Sequence, residues 1–352
     1  MNPQIFHNTQ KSGRIEYIDA MRGLTMLLVV YAHVSLYVVS GHRLVAAPLG
    51  GWTFTDLFSQ FRMPLFFFVS GFVLYKASRV WNGKEILSFF KKKLPVQLIF
   101  PAVCLFVFLW LSHRTSSTAI KYAVFDMGKA GYWFTFVLLE FYVIYVLLQQ
   151  LLLKGKWRDI VQLFVAVGIA LFVYFMQECR VVSVKTPWWS LLSIPHWYDF
   201  LFFFLGTLAR KHFPKFEKLM DTDVVIVLCL LTYIGVNLMG YTIVPLHLLG
   251  IPGVILVFAF FRRHQDSFTK ERRLGRVMQY VGRHTLDIYL LHYIVLLSFD
   301  LSPLRRYFVN APLVQLVCGL VASVIVISLC LIVSNVLRLS PFIAHYCFGA
   351  KR

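Results

Sequence analysis

The sequence predicts an all-α, polytopic membrane bundle of about ten transmembrane spans, with both termini in the cytoplasm. Composition is the first observation behind this. Of 352 residues, 59% are hydrophobic and only 14% charged, a balance that a soluble core does not need. The second is the recurrence, from one end of the chain to the other, of apolar runs close to the roughly 20 residues that cross a bilayer. The third is where the basic residues fall. Twenty-four of the 35 Lys and Arg lie on one set of alternate connecting segments and eight on the other. A bias of that size marks the first set as cytoplasmic.

The apolar runs lie near 20–40, 53–75, 94–112, 132–153, 160–177, 197–209, 224–240, 242–261, 279–299 and 313–337. The sixth is short, and the seventh and eighth are divided only by Gly240 and Tyr241. Residues 1–18 are polar and lack the apolar stretch and small-residue cleavage site of a secretory signal. They are expected to form a cytoplasmic segment, followed by a single membrane domain over 19–338 and a cytoplasmic tail over 339–352. The formal charge of +19 is then mainly topological and not a nucleic-acid footprint. It also favours anionic membrane lipids and polyanionic cytoplasmic ligands. The six cysteines show neither disulfide nor metal spacing, so no metal site is expected.

Ionisable residues inside spans cost free energy and usually mark sites. In the first span, Asp19, Arg22, His33, Tyr37 and Ser40 follow helical spacing and share one face. Arg22 and His33 stand about 16 Å apart along it by helix rise. The alternative is that Arg22 snorkels at a helix end and His33 is a packed core histidine. The second span, FRMPLFFFVSGF, holds Arg62 too deep for easy snorkelling. It also holds Pro64, which can kink the helix, and Ser70-Gly71, small enough for close helix approach. The ninth carries Arg283, His284, Asp287, Tyr289 and His292, and helix rise puts His292 at the depth of His33. Glu140, in the fourth span, is a further intramembrane carboxylate that could pair with an arginine or a histidine, and the sequence does not choose its partner.

The motif Asp19-x-x-Arg22-Gly23-Leu24 with His33 eleven residues after Arg22, FRMPLFFFVSGF at 61–72, Trp133-Phe134 and TLDIYLLH at 285–292 together resemble acyltransferase family 3. These are mostly bacterial, integral-membrane O-acyltransferases of envelope glycans. The resemblance is to the stand-alone form without an extracytoplasmic hydrolase-like domain. It implies an acyl-CoA donor, acetyl-CoA above all, a catalytic histidine at His33 and an essential arginine at Arg22. It also implies a hydroxyl of an envelope glycan or lipid-linked sugar as acceptor, and a location in the bacterial inner membrane. The family's inner-loop arginine pair is replaced here by Lys91, Lys92 and Lys93, with Gln97 near the second arginine position. Lysine holds phosphate as a point charge and not in a bidentate fork.

The chemistry of acyl transfer agrees with these residues. A sugar hydroxyl needs a base, and imidazole suits that near neutral pH. Arg22, Arg62 and Lys91–Lys93 are the expected donor contacts, with Asp19, Ser70, Glu140, Tyr289 and His292 in support. Tyr289, His292 and Ser70 are candidate oxyanion donors. Direct transfer and an acyl-histidine intermediate both satisfy this set. A rival reading from another class is an exporter or flippase, because Arg, Glu and His also line substrate paths.

Overall fold

The computed structural model describes residues 15–39, 54–151, 155, 157–178, 187–239, 250–299 and 312–349, and all regular structure among them is helical. The expected N-terminal segment, most of it within 1–14, and the side chains of Tyr37 and Ser40 lie outside the described residues.

α1 (Glu16–His33) opens with Glu16 and Asp19 in its first turn, where carboxylates favour the helix dipole. It continues past His33 as a π-helical stretch, Val34–Val39. α2 (Phe54–Leu74) runs through Pro64 without interruption. α3 (Gly83–Leu94) is capped by Asn82, whose side chain accepts from the Glu85 amide at 2.9 Å. It passes through a π-helical stretch, Pro95–Ile99, into α4 (Phe100–Leu111). α5 (Ser117–Phe125) and a short turn at Lys129–Gly131 lead to α6 (Trp133–Leu151) and α7 (Arg158–Glu178). α8 (Pro187–Leu191) and a 3-10 turn at Ile194–Asp199 precede α9 (Phe200–Lys211). α10 (Phe213–Asp221), α11 (Asp223–Met239), α12 (Gly250–Arg263), α13 (Arg273–Arg283) and α14 (Thr285–Leu296) follow. α15 (Pro312–Leu337) and α16 (Pro341–Tyr346) complete the order.

Every one of the expected spans contains helix, but the lengths differ. Four helices among the described residues are long and apolar enough to cross a membrane: the 83–111 rod, α6, α7 and α15. α10 and α11 add a fifth if their pair, bent by 73°, is one span. The expected ninth span, 279–299, is a correction: it is two helices divided at His284, which leaves the helical region at φ −104°, ψ 20°. α13 is amphipathic along α1, and α14 is the short apolar piece that enters the bundle.

Two close helix crossings hold the centre together. Gly23 of α1 and Gly282 of α13 each lie against the other helix's backbone, so a β-carbon on either would overlap the Met278 or Asp19 carbonyl. Gly71 of α2 and Gly206 of α9 do the same against Phe203 and Phe68. The Gly23 of the first-span motif thus has a packing cause, and Gly71 makes the close approach expected of it. α1 is the hub: α2, α13, α14 and α15 all pack against it.

Candidate active site

Two adjoining parts make up the site. The first is a cavity of about 1400 Å³ whose wall carries Arg22, Lys76, Arg79, Lys84, Lys91, Lys92, Lys93 and Arg283. Asp287 is its sole carboxylate among the described residues, and that charge is already engaged. One Asp287 oxygen, Oδ2, accepts from Ser334 Oγ at 2.6 Å and from Arg338 Nε and Nη2 at 2.9 and 2.7 Å, with His284 Nδ1 at 3.0 Å. The cavity is therefore strongly cationic. Lys91–Lys93 reach it because they occupy the last turn of amphipathic α3, where cations also favour the helix dipole. Lys93 lies 5.2 Å from the centre of the Tyr142 ring. Gln97, on the π-helical stretch, lines the same cavity, and its buried Oε1 has no hydrogen-bond partner among the described residues. Arg22 donates to Thr285 Oγ1 at 2.8 Å and faces Asp19 at 3.7 Å. The Thr285 contact holds its guanidinium at the start of α14.

The second part is a histidine pair further along α1. His292 Nε2 lies 3.2 Å from His33 Nδ1, and the Tyr293 hydroxyl lies 2.7 Å from His33 Nε2. A backbone carbonyl can only accept, so the 3.1 Å contact of His292 Nδ1 with Ile288 O puts the His292 proton on Nδ1. Neutral His292 then offers a lone pair at Nε2, His33 donates from Nδ1, and the lone pair of neutral His33 is at Nε2. That nitrogen accepts from the Tyr293 hydroxyl. The chain Ile288–His292–His33, with the Val29 backbone hydrogen bond to His33, favours a basic Nε2 in contact with a hydroxyl, the arrangement a general base requires. The π-helical stretch begins one residue after His33, and such departures are frequent at functional sites.

An aromatic layer lies between the two parts. Phe66, Phe134 and Tyr289 line the inner cavity wall, whereas His33, His292 and Tyr293 do not. Phe66 and Phe134 meet edge to face at 4.4 Å, and the Tyr289 ring lies 5.8 Å from that of His292. The layer is braced by the turn before α6. Tyr289 donates to Gly131 O at 2.7 Å and accepts from the Phe134 amide at 3.1 Å. Lys129, Ala130 and Gly131 all adopt positive φ. At Gly131 a β-carbon would overlap the Tyr293 ring, so the turn positions the tyrosine that touches His33. Burial lowers the pKa of the Lys129 ammonium on this turn, while Glu140 and Asp126 raise it.

The expected residues divide accordingly. Arg22 and Lys91–Lys93 share the cavity, and His33 meets His292. Arg62, expected among the donor contacts, does not line this cavity and lies within electrostatic reach of His33. Tyr289 and Ser70 face the cavity, but both hydroxyl protons are already committed to backbone carbonyls, Ser70 to Phe66 O at 2.8 Å. Neither is a free oxyanion donor. Among the described residues Glu140 meets neither an arginine nor a histidine; it accepts from the Trp197 indole at 2.7 Å, with Lys129 as the nearby cation. Thr285, Gly131 and Tyr293 were not singled out from sequence. The one available signal for Tyr293 was its place directly after His292.

An all-helical membrane fold with a part-buried histidine pair beside a cationic cavity suits a membrane acyltransferase, and it is the family comparison that assigns the class. The acyltransferase domain of acyltransferase family 3 matches residues 15–332, and the chain belongs to that family. It is similar to the inner membrane protein YcfT of Escherichia coli K12, at 24% identity over 92% of this chain and 91% of the relative. No solved structure matches it significantly.

Proposed function

We propose that the protein is an inner-membrane O-acyltransferase, with both termini cytoplasmic, that moves an acyl group, acetyl in the first instance, from acyl-CoA to a hydroxyl of an envelope glycan or glycolipid. The observation that carries this reading is that His33 Nε2 lies 2.7 Å from a hydroxyl, that of Tyr293, while its Nδ1 faces His292 at 3.2 Å.

The cationic cavity suits the phosphates of a CoA donor. Lys91–Lys93 supply point charges and Arg22 a planar fork. The unpartnered Gln97 Oε1 suits an amide N–H of the pantetheine arm. The arm would extend along α1 from Arg22 toward His33, and Phe66, Phe134 and Tyr289 must yield for the thioester to arrive. The acceptor hydroxyl would replace the Tyr293 hydroxyl at His33 Nε2, which takes its proton as the new C–O bond forms. The same proton then goes to the departing thiolate. The relative is named an inner membrane protein, which supports the location.

The test is turnover. Purified protein in detergent, given acetyl-CoA and glycan acceptors, is expected to release free thiol and to lose that activity in His33→Ala. Absence of thiol release alongside vectorial glycan movement in liposomes would replace the enzyme with an exporter.

A further inference from the structure

Arg62 lies on α2 between Phe61 and Met63, and its Nε and Nη1 are buried with no hydrogen-bond partner among the described residues. A guanidinium held this way is costly, since buried charges are ordinarily paired. Packing gives no reason for it, because a methionine or leucine would fill the same volume without the desolvation. Its surroundings do. The charge of Arg62 acts on His33, and the Tyr293 hydroxyl acts on Arg62. These are the two groups that meet at His33 Nε2. Arg62 is thus a buried cation with unused donors within electrostatic reach of His33 and Tyr293, and it does not line the cavity that suits the donor's phosphates.

We propose that Arg62 is a catalytic residue that holds the oxyanion of the tetrahedral intermediate beside His33, an assignment that rests on the acyl-transfer reading above. The acceptor hydroxyl oxygen attacks the thioester carbonyl carbon while His33 Nε2 takes the hydroxyl proton. The carbonyl π pair moves onto oxygen, where the Arg62 N–H groups stabilise it. That oxyanion then lies between two cations, Arg62 and the His33 imidazolium. When the C=O bond re-forms, the C–S bond breaks and the sulfur takes its electron pair and the proton from His33. The unpartnered N–H groups are satisfied only while the oxyanion exists, which is the condition for lowering a barrier and not merely tightening binding.

The experiment uses full-length wild type and Arg62→Gln with acetyl-CoA and the methyl glycosides of glucose, galactose and N-acetylglucosamine, following thiol release. Coenzyme A binding is measured separately by calorimetry. The expected result is a kcat at least ~100-fold lower in Arg62→Gln, with a coenzyme A Kd within about twofold of wild type because the charge does not serve donor binding. Added guanidinium ion is expected to restore activity to Arg62→Ala and not to His33→Ala. Arg62→Lys keeps the buried charge and covers the case in which the glutamine variant misfolds; its kcat is expected to fall about tenfold, since the fork is lost. A near-wild-type kcat in Arg62→Gln, or a loss of coenzyme A affinity that accounts for its defect, would overturn the assignment. Wild type that binds coenzyme A and releases no thiol would instead overturn acyl transfer itself.

Discussion

His292 Nε2 meets His33 Nδ1 at 3.2 Å, and this contact, with the backbone hydrogen bond between His33 and Val29, orients the His33 ring toward the Tyr293 hydroxyl. His292 has no polar contact to a reacting group; it acts through His33. His292→Ala is therefore expected to lower kcat by about 100-fold while leaving the donor KM near wild type. His292→Gln can place its Oε1 to accept from His33 Nδ1 and is expected to recover part of the loss. Equal defects in the two variants would show that His292 serves packing alone.

Tyr293 contacts His33 Nε2 at 2.7 Å, where the acceptor hydroxyl is proposed to bind. If it is a placeholder, Tyr293→Phe keeps kcat within about tenfold, because the substrate supplies the hydroxyl itself. A far larger loss, with unchanged melting behaviour, would make the tyrosine a proton relay instead.

Gly131 has φ +99°, and any side chain there would strike the Tyr293 ring. Gly131→Ala combines backbone strain of about 1–3 kcal/mol with displacement of Tyr293. It is expected to lower both Tm and activity, and Tyr293→Ala in the same chain should relieve the steric part of the Tm loss. If the double variant melts no higher than Gly131→Ala, the contact is not the cause.

Helix periodicity made part of this site legible. Eleven residues of spacing put Arg22 and His33 on one face, and depth from the span entries brought His292 level with His33; both are one-dimensional properties of single helices. Tyr293 was hidden because its contact depends on how α14 is rotated against α1, which follows from the break at His284 and the Gly23–Gly282 crossing. Thr285 was hidden for the same reason. Depth alone could not say which cavity Arg62 enters. Glu140 drew its partner, Trp197, from a turn far along the chain, which helix spacing within the fourth span could not supply.

The cationic cavity gives a salt-dependent prediction. Arg22→Lys keeps the charge but loses the planar fork, so the donor KM is expected to rise with little change in the salt dependence of donor binding. Replacing Lys91, Lys92 and Lys93 together by Gln should raise it also and flatten that dependence, because the point charges are lost. Lysine variants whose donor affinity and salt response match wild type would remove α3 from the donor site.

Asp287 ties the cavity wall to the last long helix. Its side chain is only 2% exposed, and Arg338, 24% exposed, reaches it at 2.7 Å, with Ser334 and His284 on the same oxygen. Asp287→Asn removes the charge while retaining the shape, leaving Arg338 without its counter-charge. The expected cost is about 1–3 kcal/mol, read as a lower Tm in detergent. Arg338→Gln alone strands the buried carboxylate, the more costly half of such a pair, and should lower Tm further. The double variant Asp287→Asn, Arg338→Gln is expected to melt above Arg338→Gln, since it leaves no unpaired charge. Additive losses would mean that the two side chains do not depend on each other, and that α15 is held to α14 by apolar packing alone.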